Sequence, residues 1–310
     1  MVRSYYSVAE HLFAVECSDS ALLACMTNYL PFREPTPNPS LNAPHDAGVI
    51  GDPAKGRELD EEIFTLRVEG DEARGEKARG EEAKGERQIG EEWTHVLTDN
   101  AEEDMPRIEV YRSSLEDGAV RLQDASLSAP QKSADFSGTP LQFRGGEWLF
   151  RVAMVANAPI CCEMECNENF TEGVLYIMPD CQDVRFCIDN ALMLLYAFRT
   201  APLMTLEMHA AVVVRPSLED ARGTSYRTPS GLQDALTGYR EEARGDEARG
   251  YLFLGHSGTG KSTHARQWLA AFDDAWLLND DNPILRVMED GEVRVYGSPW
   301  SGKTHFYNNA

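Results

Sequence analysis

The chain has 310 residues, 51 of them acidic and 29 basic, for a formal net charge of −22. That balance excludes a generally basic surface for nucleic acid or for an anionic membrane. No uncharged apolar run reaches the roughly 18 residues of a membrane-spanning helix. Hydrophobic residues make up 42%, as in an ordinary folded domain, and the length suits about two domains of roughly 100–200 residues. The start, Met1-Val-Arg-Ser-Tyr-Tyr, has no apolar segment of secretory type, and Glu10, Glu16 and Asp19 come early. The cytoplasm is therefore the expected compartment.

Residues 1–33 read as an N-terminal β-rich segment, carried by Tyr5, Tyr6, Val8, Leu12, Phe13 and Val15. Residues 34–137 change character. Pro35, Pro37, Pro39 and Pro44 stiffen the first part, and glycines then recur at 70, 75, 80, 85 and 90 between short charged blocks. Each glycine costs a helix about 1 kcal/mol, and the blocks carry no apolar face to bury. This region is expected to be a low-complexity, mostly disordered insert. The same Asp-Glu-Ala-Arg-Gly wording returns just before Tyr251, so residues 215–249 are read as a second insert of the same kind. Both would be surface-loop insertions in an older fold.

Residues 138–207 read as an α/β segment. Strands are expected at Trp148–Val155 and Gly173–Ile177, and a helix over 183–199. Ala191, Leu194, Leu195 and Phe198 fall at helical spacing on one apolar side, and Pro202 limits the helix. The seven cysteines are odd in number and spread along a long chain, which does not suit a disulfide scaffold. Cys161-Cys162-x3-Cys166 lacks the paired CxxC spacing of a zinc site, with no histidine nearby. Buried thiols are the favoured reading there over a metal site.

Residues 208–310 carry the chemistry. Met208–Val214 reads as a buried strand. Tyr251-Leu-Phe-Leu is a short apolar strand leading into Gly255-His-Ser257-Gly258-Thr259-Gly260-Lys261-Ser262, and a helical stretch follows from Thr263. This is G-x4-G-K-[ST] in its strand–loop–helix setting. Glycines let successive N–H groups turn inward on phosphate oxygens. The helix start adds partial positive charge. Lys261 would reach the β- and γ-phosphates, and Ser262 would ligate Mg²⁺. Ala275-Trp-Leu-Leu then runs into Asn279-Asp280-Asp281. Carboxylates at a strand end beside such a loop can hold Mg²⁺ or accept a proton. Gly297–Thr304 fits the same pattern but is rejected as a second cradle, because Pro299 stiffens it and the chain ends six residues later. Lys303 is kept as a candidate anion contact, that is, a substrate residue.

These residues resemble the HPr kinase/phosphorylase-like branch of P-loop proteins, which shares its architecture with ATP-dependent phosphoenolpyruvate carboxykinase. The likeness lies in Met208-His209, in Tyr251–Thr263 and in the Asp280-Asp281 pair. It implies an α/β fold with a P-loop domain of HPr kinase/carboxykinase type over 208–310, a β-rich N-terminal region and the two disordered inserts. It implies ATP and Mg²⁺ as cofactors, and phosphoryl transfer to a hydroxyl on a protein or small molecule. Gly255, Ser257, Gly258, Thr259, Gly260, Lys261, Ser262 and Thr263 would hold the nucleotide, and Ser262 and Asp281 the metal. Asp280 or Asp281 would act on the acceptor, with His209 lining the site. The family commonly forms multimers, so the resemblance admits a homo-oligomer, but no interface is legible in the sequence. Thr263 stands where the kinases usually have an acidic residue and is nearer the carboxykinase pattern. Both families continue beyond the point where this chain stops, so the domain is expected to be incomplete. The rival expectation is an ATP-binding regulatory protein or an inactive truncated homologue.

Overall fold

The computed structural model describes residues 1–36, 62–69, 93–99, 106–113, 148–216, 248–302, 304 and 307–309. Among them, fifteen strands and three α-helices form, with 45% of residues in strand and 22% in helix. The chain divides into two units, residues 1–65 with 192–310 and residues 66–191.

In the first unit, alternating apolar residues build a hairpin of β1 (Val2–Val8) and β2 (His11–Cys17), with β3 (Arg33–Glu34) antiparallel on the outer side of β1. Between β2 and β3 come α1 (Ser20–Leu23) and a 3₁₀ turn over Thr27–Phe32. The two-residue hairpin turn puts Ala9 and Glu10 at positive φ. Arg286 supports it by donating to the Ala9 carbonyl and pairing with Glu10 at 3.0 Å.

Two three-stranded antiparallel sheets complete this unit. One has the order β12 (Ala248–Leu254), β11 (Ala210–Pro216), β13 (Trp276–Asn279). The other has the order β10 (Thr205–Glu207), β14 (Ile284–Val287), β15 (Val293–Tyr296). The period of two explains the unbroken valine run of β11. Ala211 and Val213 pack with Ala275 and Leu277 under the helix α3 (Lys261–Ala271), through Ala265 and Leu269. Val212 and Val214 pack on the other face with Trp276, Leu278 and Val295 of β15. A strand covered on both faces has no place for a polar residue.

The second unit is a five-stranded antiparallel meander in the order β9 (Glu172–Ile177), β8 (Ile160–Cys166), β7 (Trp148–Ala153), β6 (Arg107–Ser113), β5 (Trp93–Asp99). At its centre Arg151 joins Glu163 at 3.0 Å and Glu109 at 3.3 Å, so its buried charge is answered. Two elements straddle the division between the units: β4 (Phe64–Glu69) and α2 (Val184–Thr200).

Three expectations change. The α/β architecture with a P-loop domain of HPr kinase/carboxykinase type is not what forms. The sheet that carries the glycine loop is antiparallel, because β11 lies between β12 and β13 and pairs antiparallel with both. The described residues are strand-rich rather than an alternation of strands and helices. The first insert is also not uniformly disordered, since β4, β5 and β6 arise within 34–137. Phe64-Thr-Leu-Arg-Val-Glu alternates buried and half-buried residues along its length, a strand signal between two low-complexity tracts. The glycine repeats at 70–90 and residues 217–247 lie outside the described residues. Finally, the apolar side of α2 is rotated by about one position. Cys187, Ile188, Ala191, Leu192, Leu195 and Tyr196 are buried, whereas Phe198 is 44% exposed. Tyr196 wins the buried place because its hydroxyl donates to the Val8 carbonyl at 3.1 Å and its ring packs against Phe13, Phe64 and Trp300. A buried tyrosine is tolerable only where its O–H finds a partner.

Candidate active site at the glycine loop

β12 ends at Leu254 and α3 begins at Lys261, so the glycine loop is a strand-to-helix turn. Gly255, Gly258 and Gly260 have φ of 152°, 78° and 98°, and the last two lie in the left-handed region that glycine adopts freely. At Gly255 any Cβ would also stand 2.6 Å from Thr259 Oγ1. Thr259 closes the turn by donating its hydroxyl to the His256 carbonyl at 2.7 Å. Ser257, Gly258, Thr259 and Thr263 are exposed, and Lys261 and Ser262 are half-buried. The helix is held from behind by aromatic packing: Trp268 meets Tyr251 at 4.8 Å and Phe253 at 5.4 Å. Arg215 grips Asp274 with two hydrogen bonds of 3.0 and 3.1 Å and lies over the Phe272 ring.

Lys261 donates to the carbonyls of Gly255 at 2.8 Å and His256 at 3.2 Å. Its Nζ is also 3.1 Å from His209 Nε2. The same imidazole nitrogen is 3.3 Å from Asp281 Oδ1. One nitrogen cannot serve both neighbours at once. Without a proton, Nε2 accepts from the Lys261 ammonium; with one, it donates to the Asp281 carboxylate. The lysine, histidine and aspartate thus form a row in which one proton decides the pairing. The backbone sets the row, because Ala210 N donates to the Asp281 carbonyl at 2.8 Å and so ties the start of β11 to the end of β13.

The two aspartates have different surroundings. Asp280 is 5% exposed. Its Oδ1 accepts from Ser301 Oγ at 2.7 Å and Gly302 N at 2.8 Å, and its Oδ2 accepts from Thr304 N at 3.1 Å. It anchors the loop after β15. Asp281 is more open and faces His209. Asn279, buried, organises both: Oδ1 accepts from Asp281 N and Asn282 N, each at 2.8 Å, while Nδ2 reaches Ser298 and Trp300. Gly302 fits closely over the pair, since a Cβ there would meet Asp281 Cβ at 3.1 Å and Asp280 Oδ2 at 3.3 Å. The anchored loop is in turn fixed by the N-terminal segment. Asn28 donates to the Pro299 carbonyl at 3.0 Å, and Trp300 Nε1 donates to Tyr29 Oη at 2.9 Å.

Among the residues singled out from the sequence, His209, Lys261 and Asp281 come together directly. Asp280 lies beside them with its carboxylate already engaged, and Lys303 lies outside the described residues. Glu207 was not anticipated. Burial, and then the nearby Asp281 charge, push its carboxyl up to about 8. Two residues before His209, it had a signal of place but none of environment. Asn279 was legible only as the residue before two aspartates, a position from which an amide can bond its own following backbone.

No protein-family model, curated protein or solved structure matches this chain.

Proposed function

We propose that this chain binds ATP with Mg²⁺ on the loop from Gly255 to Thr263 and transfers a phosphoryl group to a hydroxyl acceptor. The observation that carries the proposal is the row Lys261–His209–Asp281 at the start of α3, beside a turn of positive-φ glycines. The residues suit the ligand. An ammonium, a helix N-terminus and exposed loop N–H groups favour phosphate. Ser262 and Asp281 are oxygen donors of the kind Mg²⁺ takes. When bound, Mg²⁺ would neutralise charge on the phosphates.

The residues divide the work as follows. Lys261 exchanges the Gly255 and His256 carbonyls for phosphate oxygens. His209 donates to Asp281 when its Nε2 holds a proton. Asp281, half-exposed and not committed to the Asp280 anchor, orients the acceptor hydroxyl or takes its proton. Placing donor and acceptor in line is the larger part of catalysis in such a site. The acceptor class comes from the resemblance of Met208-His209, Tyr251–Thr263 and the Asp280-Asp281 pair to the HPr kinase-like proteins, and the cytoplasm remains the proposed compartment. Among the described residues, no helix is long and apolar enough to cross a membrane.

A second reading is nucleotide binding without transfer. It is favoured by the full engagement of Asp280, which leaves Asp281 as the carboxylate next to His209. Calorimetric titration with ATP and Mg²⁺ tests what the two readings share. Micromolar binding lost in Lys261→Ala supports both, and no binding by the intact chain rejects both. Label transfer from γ-labelled ATP, lost in Asp281→Asn with binding retained, selects transfer.

A further inference from the structure

The second unit holds a group of thiols that the glycine loop does not use. The Sγ atoms of Cys161, Cys162 and Cys187 all lie within 4.8 Å of one another, and all three residues are buried. Cys181 Sγ is 3.4 Å from Cys187 Sγ. Adjacent residues on a regular strand point to opposite faces, so Cys161 and Cys162 should not share a site. A bulge resolves this. Ile160 pairs with Ala153 and Cys162 with Val152, which leaves Cys161 as the extra residue of β8. A bulge of this kind re-aims one side chain, and here it brings Cys161 to Cys162. The other two sulfurs come from the start of α2. Asp183 caps that helix by accepting from Phe186 N at 2.9 Å, and Cys187 sits in its first turn. Cys181 lies in the turn before it, with its N–H donating to the Met178 carbonyl at 3.0 Å.

We propose that Cys161, Cys162, Cys187 and Cys181 form a binding site for a thiophilic d¹⁰ metal ion, with Zn²⁺ as the natural occupant. Four thiolates about 2.3 Å from a tetrahedral zinc stand about 3.8 Å apart. The sulfurs of Cys181 and Cys187 stand 3.4 Å apart and those of the buried three lie within 4.8 Å of one another, distances that admit that spacing. The donor set is all sulfur, which favours zinc over magnesium or calcium. The start of α2 adds a favourable field for thiolate charge. Three donors are buried and Cys181 is half-buried, so the fourth position is the way in. Binding replaces each S–H proton with a metal–sulfur bond and releases those protons to solvent. There is no change of oxidation state.

The test uses the full chain, purified anaerobically with a phosphine reductant and no chelator. Elemental analysis should find one zinc ion per chain. Replacement by Co²⁺ should give the intense sulfur-to-cobalt charge transfer and visible bands of a tetrahedral thiolate site. Cys187→Ser and Cys161→Ser should each weaken zinc by more than about 100-fold, beyond what a supporting residue costs, while Cys25→Ala leaves it unchanged. The wild-type cobalt spectrum decides the matter even where a variant fails to fold. Absence of zinc and cobalt binding, a cobalt spectrum without thiolate bands, a Cys181–Cys187 disulfide in the reduced preparation, or zinc held equally by folded Cys187→Ser would each overturn the proposal.

Discussion

Replacing each aspartate of the Asp280-Asp281 pair by asparagine should separate stability from function. In Asp280→Asn, one oxygen can still accept from Ser301 and Gly302, but those bonds lose their charge. A bond to a charged group contributes about 1.5–3 kcal/mol and a neutral one about 1, so the two together weaken by about 2 kcal/mol. The amide nitrogen then faces the Thr304 N–H, where Oδ2 had accepted at 3.1 Å. That unmet donor adds about 1 kcal/mol, at the low end because Thr304 is exposed and water can reach it. The expected loss is about 3 kcal/mol. Asp281→Asn weakens the partly exposed contact with His209, and a contact of that kind contributes about 0–1 kcal/mol. Urea unfolding followed by tryptophan fluorescence, with slopes held common, reads both differences. Trp300 lies in the loop Asp280 anchors, so its emission should shift as well. A loss under about 1 kcal/mol in Asp280→Asn, or equal losses in the two variants, would refute the division of roles.

Other outcomes follow from the same geometry. A Cβ at Gly297 would sit 1.9 Å from the Asn308 carbonyl oxygen, so Gly297→Ala should lower stability by more than about 3 kcal/mol, visible as a fall in melting temperature. Glu207 binds a proton more tightly folded than unfolded, with its carboxyl raised from 4.5 to about 8. Stability should therefore fall as pH rises through that window, by at most about 1.4 kcal/mol per pH unit. His11, buried and flanked by Arg286 and Arg199, is lowered from 6.5 to about 4. Its contribution is present at neutral pH and is lost as pH falls through that range, so it opposes Glu207 below pH 6.5. Glu207→Gln should flatten the decline on the alkaline side and leave the acid-side rise, measured as unfolding free energy at each pH. Arg215→Lys should cost about 1–2 kcal/mol, because lysine cannot keep both bonds to Asp274 and the stacking on Phe272.

What the sequence revealed was local. The strand Tyr251–Leu254, the glycine turn and the helix after it follow from apolar runs and from residues that accept positive φ. The strands Ala210–Pro216 and Trp276–Asn279 announced themselves through the apolar runs Ala210–Val214 and Ala275–Leu278. Pairing was hidden, because β11 reads alike in a parallel or an antiparallel sheet when both its faces are covered. Phe64–Glu69 carried a clear alternation but sat between tracts that drew the whole region into one compositional class. Asp280 and Asp281 are identical in the sequence; only the loop at Ser301–Thr304 distinguishes them. Cys161 and Cys162 looked incompatible with one site until a single extra residue in β8 turned one of them.

The contacts that hold Trp300 have a consequence for how the molecule is made. Asn28 and Pro299 are 271 positions apart, as are Tyr29 and Trp300, and His11 meets Thr205 across 194. Closures of that span are slow, since the chain loses loop entropy long before the contacts form. On the ribosome, Tyr29 emerges early with Tyr6 beside it, but its contact with Trp300 must wait until residue 300 has been synthesised. Nascent chains halted before that point should therefore be the forms most dependent on chaperones and most prone to clump.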